Sequence, residues 1–111
     1  MKSILLWILM MPRLRSSYHL TSYEVLVSQT AAMELKAMEE NLQARIAETL
    51  RQLAEDPSNR SGRLDVKKLS ATKRHYYRLR VGEYRIIFFT EEKAIKVVRI
   101  ANRSDVYSWL D

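Results

Sequence analysis

Three arginines close together in the sequence carry its clearest chemical signal. Arg78 and Arg80 alternate along a strand-like run, and Arg85 follows just after Gly82 and Glu83. Glycine at the first position of a two-residue turn suits a type II′ hairpin. Such a turn pairs Arg80 with Arg85 and places Arg78 on the same face of the sheet, because alternate residues share a face. Guanidinium groups match phosphate oxygens well, so this cluster predicts an anion-binding site.

The arginines belong to a wider basic block. Residues 60–85 contain nine Lys and Arg against two Asp and Glu, whereas the net charge of the whole chain is +6. Like charges directly opposite each other destabilise a hairpin, so the expected Arg80–Arg85 pair indicates an anion between the two side chains. A solvated basic surface with arginines that fan apart in water is the alternative interpretation.

The composition limits the class of protein. A chain of 111 residues has room for one hydrophobic core. Its 47% hydrophobic and 29% charged residues are typical of a globular domain and argue against a disordered or fibrous chain. The absence of Cys excludes disulfides and thiolate metal sites and suits a reducing cytoplasm. Two distant His residues argue against a metal centre.

Residues 1–22 are interpreted as an N-terminal extension that is not part of the fold. The apolar run at residues 4–11 is far shorter than the roughly 20 residues that a membrane span needs. No small-residue cleavage site follows it, so a secretory signal is not indicated either. A start codon assigned too far upstream would account for such a segment. The folded domain is therefore expected to comprise residues 23–111, with no membrane association.

The rest of the chain predicts an α+β fold with the element order β-α-α-β-β-β-α. Residues 23–28 read as a strand, and either Ser28 or Thr30 caps the helical region that follows. An apolar stripe predicts helix over residues 31–54, with a break at Glu39-Glu40-Asn41 that makes a helical hairpin. The hairpin is expected to cover one face of a small, mainly antiparallel sheet.

The second half of the chain supplies that sheet. Residues 58–72 are expected to form a basic loop anchored by Leu64, Val66 and Leu69. Three strands follow at residues 76–81, 84–90 and 94–100, and Asn102 caps a short C-terminal helix over residues 103–110. The face expected against the helices carries Tyr77, Leu79, Val81, Tyr84, Ile86 and Phe88.

With these elements in place, the sequence resembles the RelE/ParE superfamily of small bacterial and archaeal toxins. The likeness is carried by YRLRVGEYRIIF at residues 77–88, VKKL at 66–69 and VVRIANRSDVY at 97–107, and it extends from about Tyr23 to the C-terminus. It implies the toxin half of a type II toxin–antitoxin pair. RelE-type members cleave mRNA in the ribosomal A site, and ParE-type members inhibit DNA gyrase.

The resemblance also implies site residues. For a RelE-type site the corresponding catalytic positions are Arg78, Arg80, Arg85, Arg103 and Tyr107. The best-known RelE pattern has Lys at the two positions of the first central strand, where this chain has Arg. Arginine does not readily accept a proton, so Arg78 and Arg80 suit a phosphate clamp, and Tyr107 is the candidate base or stacking residue. The residues expected to contact RNA are Lys67, Lys68, Lys73, Arg74 and His75.

Three functions stay open at this point. The first is a ribosome-dependent endoribonuclease in which the RNA 2′-OH attacks the adjacent phosphate, with no metal or other cofactor expected. The second is a ParE-like gyrase inhibitor without nuclease chemistry, and the third is a nucleic-acid-binding module that does not catalyse. Both toxin functions imply a cytoplasmic protein that binds an acidic antitoxin, because the toxin is basic.

Overall fold

The computed structural model describes residues 1–4, 23–69 and 74–102. These residues form two helices and one six-stranded sheet. The elements are β1 (Lys2–Ser3), β2 (Glu24–Val27), α1 (Gln29–Lys36), α2 (Glu40–Glu55), β3 (Asp65–Lys68), β4 (Tyr77–Val81), β5 (Tyr84–Glu91) and β6 (Ala94–Ala101).

The sheet has the strand order β1-β2-β6-β5-β4-β3. Strands β2 and β6 are parallel, and the other neighbouring pairs are antiparallel. The α+β class and the antiparallel-dominated sheet are confirmed. The expected order of elements is incomplete, since the sheet includes two short strands, β1 and β3, that the sequence did not predict.

The two helices form the predicted hairpin. The Ser28 hydroxyl accepts a hydrogen bond from the backbone N–H of Ala31 and thereby caps α1. Helix α1 ends at Lys36 and α2 begins at Glu40, so the break falls at the predicted polar cluster. At this break the Gln43 side chain donates to the Met38 carbonyl at 2.8 Å, which satisfies a carbonyl that follows the end of α1.

The hydrophobic core lies between the helices and one face of the sheet. Helix α2 contributes an apolar stripe at helical spacing, and the central strands contribute the facing residues. The fully buried members include Leu35, Ile46, Leu50, Leu53, Leu79, Ile86, Phe88, Ile95, Val97 and Ile100. Tyr77 and Tyr84 pack against this cluster, so the predicted core face of the hairpin is confirmed.

The segment after α2 differs from the expected loop in one respect. Leu64 and Val66 pack against the core as predicted, but Val66 belongs to the edge strand β3. Three of the four β3 residues are exposed. A polar strand at a sheet edge lacks the apolar alternation by which strands are recognised in a sequence.

The first residues of the chain pair with the sheet. Lys2 and Ser3 pair antiparallel with β2, the Ile4 backbone N–H donates to the Val25 carbonyl at 2.8 Å, and Ile4 is buried in the core. The sequence predicts that residues 1–22 lie outside the fold, whereas in the structure residues 2–4 pair with β2 and reach the core. Residues 5–22 lie outside the described part of the chain.

Candidate nucleic-acid interface

The predicted register of the central hairpin is confirmed. Arg80 is paired with Arg85, Leu79 with Ile86, and Arg78 with Ile87. Gly82 has φ +59° and Glu83 does not share this positive φ, as a type II′ turn requires. We call the sheet face opposite the helices, which carries Arg78, Arg80, Arg85 and Ile87, the arginine face.

Arg80 and Arg85 are neighbours across the strands near the Gly82 turn. Directly opposed residues in an antiparallel pair have Cβ atoms about 5 Å apart, so both side chains leave the sheet from one small area. The Arg80 Nε donates to the Gly82 carbonyl at 3.1 Å, which orients an otherwise exposed side chain. Within the described ranges, neither guanidinium forms an ion pair with a carboxylate. The described part of the chain therefore supplies no carboxylate that is paired with either of these two cations.

Arg78 has a different environment. Its side chain is only 13% exposed, and its Nη2 donates to the Asp65 carboxylate at 3.0 Å. Its Nε is buried and has no hydrogen-bond partner among the residues that the structure describes. The sequence did not identify Asp65 as part of the face, although pairing of β3 with β4 places it opposite Arg80. Asp65 compensates part of the Arg78 charge, so Arg78 is less available to a ligand than Arg80 and Arg85.

The two lysines of β3 lie on opposite faces of the sheet. Lys67 is in register with Arg78 and belongs to the arginine face, whereas Lys68 is in register with Tyr77 and points to the helix side. Both lysines are exposed. The structure therefore adds Lys67 to the arginine cluster and separates Lys68 from it.

The far end of the arginine face holds an aromatic ring surrounded by cations. Phe89 lies four residues beyond Arg85 on β5, and the Arg74 guanidinium carbon is 4.2 Å from its ring centroid. The Lys96 ammonium lies 5.8 Å from the same centroid, and Tyr76 meets the ring edge to face at 5.8 Å. We call Phe89, Tyr76, Arg74 and Lys96 the aromatic cluster.

A carboxylate organises the cations of the aromatic cluster. Glu91 accepts a hydrogen bond from Lys96 at 2.7 Å and lies 3.8 Å from the Arg74 Nη1. The hydrogen bond and charge of Lys96 hold the pKa of Glu91 below its ordinary value. Glu91 is therefore charged at neutral pH and helps to fix both basic side chains beside the ring. The sequence singled out Arg74 but missed Phe89 and Lys96; the alternation of Arg85, Ile87 and Phe89 along one strand was the available signal.

The end of β6 is held by helix α1. The Glu34 carboxylate accepts from the Ile100 backbone N–H at 2.8 Å and from the Arg99 Nη2 at 3.0 Å. A register shift between Ile87 and Phe88 pairs these residues with Arg99 and Val97, so Val98 has no partner on β5. The Ser28 hydroxyl donates to the Val98 carbonyl at 2.9 Å. Arg99 is thus engaged within the fold, which distinguishes it from Arg80 and Arg85.

Three of the predicted site residues, Lys73, Arg103 and Tyr107, lie outside the described part of the chain, as does the predicted C-terminal helix. His75 is exposed beside the aromatic cluster. Among the described residues, no three His, Cys, Asp or Glu side chains converge as metal ligands. Within the same ranges, neither helix has the length and apolar character needed to cross a membrane.

Comparison with known proteins identifies the class. The family described as the ParE toxin of the type II toxin–antitoxin system parDE matches residues 25–107. No curated protein is significantly similar to this chain in sequence.

Three solved structures show the same fold. The archaeal RelE–RelB complex from Pyrococcus horikoshii OT3 is similar with 26% identity and a TM-score of 0.64, over 76% of this chain and 98% of that chain. The RelB–RelE antitoxin–toxin complex from Methanococcus jannaschii has 28% identity and a TM-score of 0.59, over 78% and 99% of the two chains. The isolated RelE toxin of E. coli, at 19% identity, has a TM-score of 0.59 over 79% and 94%.

The fold, a helical hairpin on a mainly antiparallel sheet with a basic outer face, is that of the RelE/ParE superfamily, and the predicted resemblance is confirmed. The chain belongs to the ParE toxin family of type II toxin–antitoxin systems. It is accordingly the toxin component of such a system.

Proposed function

We propose that this toxin is a ribosome-dependent endoribonuclease that cleaves mRNA. The observation that carries the proposal is the Arg80–Arg85 pair, two cross-strand guanidiniums on the face away from the helices without a carboxylate partner in the described ranges. Two guanidinium groups that form no ion pair with any described carboxylate suit a phosphodiester, whose nonbridging oxygens accept paired hydrogen bonds. Lys67 on the same face adds a further positive charge to the path of the RNA backbone.

In the proposed cleavage reaction, the arginines stabilise negative charge but do not transfer protons. The RNA 2′-oxygen attacks the adjacent phosphorus and loses its proton, while the bond from phosphorus to the 5′-oxygen breaks and that oxygen gains a proton. Arg80 and Arg85 would stabilise the negative charge that builds up on the phosphate oxygens. Neither guanidinium accepts the 2′-OH proton at neutral pH. We assign that step to Tyr107, a role that rests on the family resemblance.

A partner is part of the proposal. The Pyrococcus and Methanococcus relatives were solved as complexes of RelE with RelB. For this chain, with its net charge of +6, we propose an acidic antitoxin that is made alongside it in the cytoplasm. An antitoxin that covers the arginine face would compete directly with RNA.

The test is induction of the full chain in a bacterial host, followed by primer extension on a translated message. We expect growth arrest and new 5′ ends within translated codons. Arg85→Ala should reduce cleavage about 100-fold or more, the typical cost of removing one preorganised donor to a developing anion. The matched control is Lys36→Ala, which removes one positive charge from the exposed end of α1 and should cleave normally. Cleavage that survives Arg85→Ala at full rate would refute the proposed site.

Gyrase inhibition is the second candidate, favoured by the family match to ParE toxins. It predicts growth arrest with intact messages, an SOS response and inhibition of purified gyrase in a DNA supercoiling assay. A gyrase inhibitor needs no proton transfer, so its toxicity should survive Tyr107→Phe, whereas the nuclease should lose activity with that substitution.

A further inference from the structure

The aromatic cluster has the composition of a nucleobase-binding surface. Phe89 lies on the sheet face away from the helices and is not a member of the buried core. Its ring is covered by the Arg74 guanidinium carbon at 4.2 Å. Aromatic rings and guanidinium planes on a sheet surface are the groups on which unpaired RNA bases stack.

The cluster is placed where the same RNA strand would reach it. Phe89 lies on β5 four residues from Arg85 and on the same face, a separation of about 13 Å along a strand. A few nucleotides of extended single strand cover this distance. Ile87 lies between Arg85 and Phe89 on this face and is buried. A strand whose phosphate lies between Arg80 and Arg85 would therefore bring a neighbouring base onto the cluster by passing over the side chains that cover Ile87.

The cluster is also preorganised. Tyr76 packs against the Phe89 ring at an interplanar angle of 84°, and Glu91 contacts both Arg74 and Lys96. Half of the Arg74 side chain is nevertheless exposed. Arg74 thus has one side against the Phe89 ring and a substantial solvent-facing surface. A guanidinium that is held against a ring and is half exposed can contact a ligand at a lower cost in side-chain entropy than a fully solvated one.

We propose that Arg74, supported by Phe89, forms a stacking site for an unpaired base of single-stranded RNA bound on the arginine face. This stacking site rests on the proposed function, because it assumes that Arg80 and Arg85 bind the backbone of the same RNA strand. Stacking is tolerant of base identity because every base has a π face. The site would therefore hold the RNA near the scissile phosphate without selecting a sequence.

The test compares two RNA probes that differ only in their bases. A fluorescent 2′-O-methyl oligoadenylate and an abasic 2′-O-methyl backbone of the same length cannot be cleaved, because the attacking hydroxyl is blocked. Binding of each probe to the full chain is measured by fluorescence anisotropy over a range of salt concentrations. Arg74→Lys keeps the charge and removes the plane, and Phe89→Leu removes the ring beneath it. Lys36→Ala is the control for a remote positive charge.

We expect Arg74→Lys to weaken binding of oligoadenylate about tenfold, within the range measured for loss of one stacked base, and to leave abasic binding unchanged. Phe89→Leu should act in the same direction. Equal effects on the two probes, or no effect on either, would overturn the stacking site. Equal binding of both probes by the unsubstituted protein would do the same, and would point to a phosphate contact or to a protein ligand at this surface.

The same binding assay distinguishes failure of the stacking site from failure of the phosphate clamp at Arg80 and Arg85. Arg85→Ala should weaken the binding of both probes. It should also reduce the slope of the logarithm of the binding constant against the logarithm of salt concentration by about one. Unchanged binding with Arg85→Ala, combined with a base-dependent loss in Arg74→Lys, would remove the phosphate clamp but keep the stacking site. No binding of either probe by the unsubstituted protein would overturn both the phosphate clamp and the stacking site as RNA-binding sites of the isolated protein, whereas cleavage on the ribosome is tested separately by primer extension.

Discussion

Removal of the Glu34 side chain should loosen the end of β6, the strand that leads into residues 103–107 of the proposed site. Glu34 accepts from the Ile100 N–H at 2.8 Å and from Arg99 at 3.0 Å, and its side chain is only 21% exposed. A hydrogen bond from a backbone N–H to a charged acceptor contributes about 1.5–3 kcal/mol. The ion pair adds at most about 1 kcal/mol, because both partners are in contact with solvent.

We therefore expect Glu34→Ala to lower the free energy of unfolding by about 2–3 kcal/mol, or roughly 10 °C in melting temperature for a domain of this size. Glu34→Gln keeps an oxygen for Ile100 but cannot pair with the Arg99 charge, so its cost should be about 1 kcal/mol. Urea unfolding at neutral pH measures both values. A double-mutant cycle with Arg99→Gln isolates the ion pair. A loss below about 0.5 kcal/mol in Glu34→Ala would refute the claim that this carboxylate holds the strand end.

Three further substitutions test other parts of the fold. Gly82→Ala places a Cβ at a φ of +59° and 3.2 Å from an arginine guanidinium of α2, so urea unfolding should show a loss of about 1–2 kcal/mol. Hydrogen bonds from Ser61 lower the pKa of Asp56, so its stabilising effect is complete above the ordinary pKa of about 3.9 and is lost as pH falls through the lowered value. Asp56→Asn should therefore destabilise the protein at neutral pH, and the difference from the unsubstituted protein should shrink in acid; a difference that does not change with pH would contradict this. Ile4→Ala should cost about 2 kcal/mol, and an unchanged melting temperature would show that residues 1–4 do not contribute to the core.

The central hairpin was predictable because several local signals agree. Gly82 marks the turn, and the alternation on either side of it separates apolar from basic residues. A two-residue turn leaves one register, so the pairing of Arg80 with Arg85 followed from counting along the sequence. The helical hairpin was predictable for a similar reason, since an apolar stripe is interrupted at one polar cluster.

The two short strands were not predictable from local pattern. Strand β3 has one apolar residue, Val66, among three exposed polar ones, and it forms by pairing with the edge of β4 rather than from an alternating pattern of its own. Strand β1 depends likewise on the edge of β2, and a basic residue followed by an apolar run reads as a targeting or extraneous segment. In both cases the conformation depends on pairing with a strand that is distant in the sequence. The local residue pattern of a single sequence does not identify that strand.

Charge compensation is the feature of the site that only the three-dimensional structure could supply. In sequence, Arg78, Arg80 and Arg85 look equivalent, and Arg99 resembles them. In the fold, Asp65 pairs with Arg78 and Glu34 with Arg99, although 13 and 65 residues separate these partners. Each pairing commits a cation to the stability of the domain.

Arg80 and Arg85 are left without such a partner among the described residues, at adjacent positions where like charges repel. Folding of the hairpin does not require two like charges at these positions, because a neutral residue at either one would remove the repulsion. An anion bound between the two arginines, as proposed above, would offset that repulsion. This reasoning predicts that Arg80→Gln or Arg85→Gln stabilises the free protein slightly while it weakens RNA binding, and a loss of stability in both variants would contradict it.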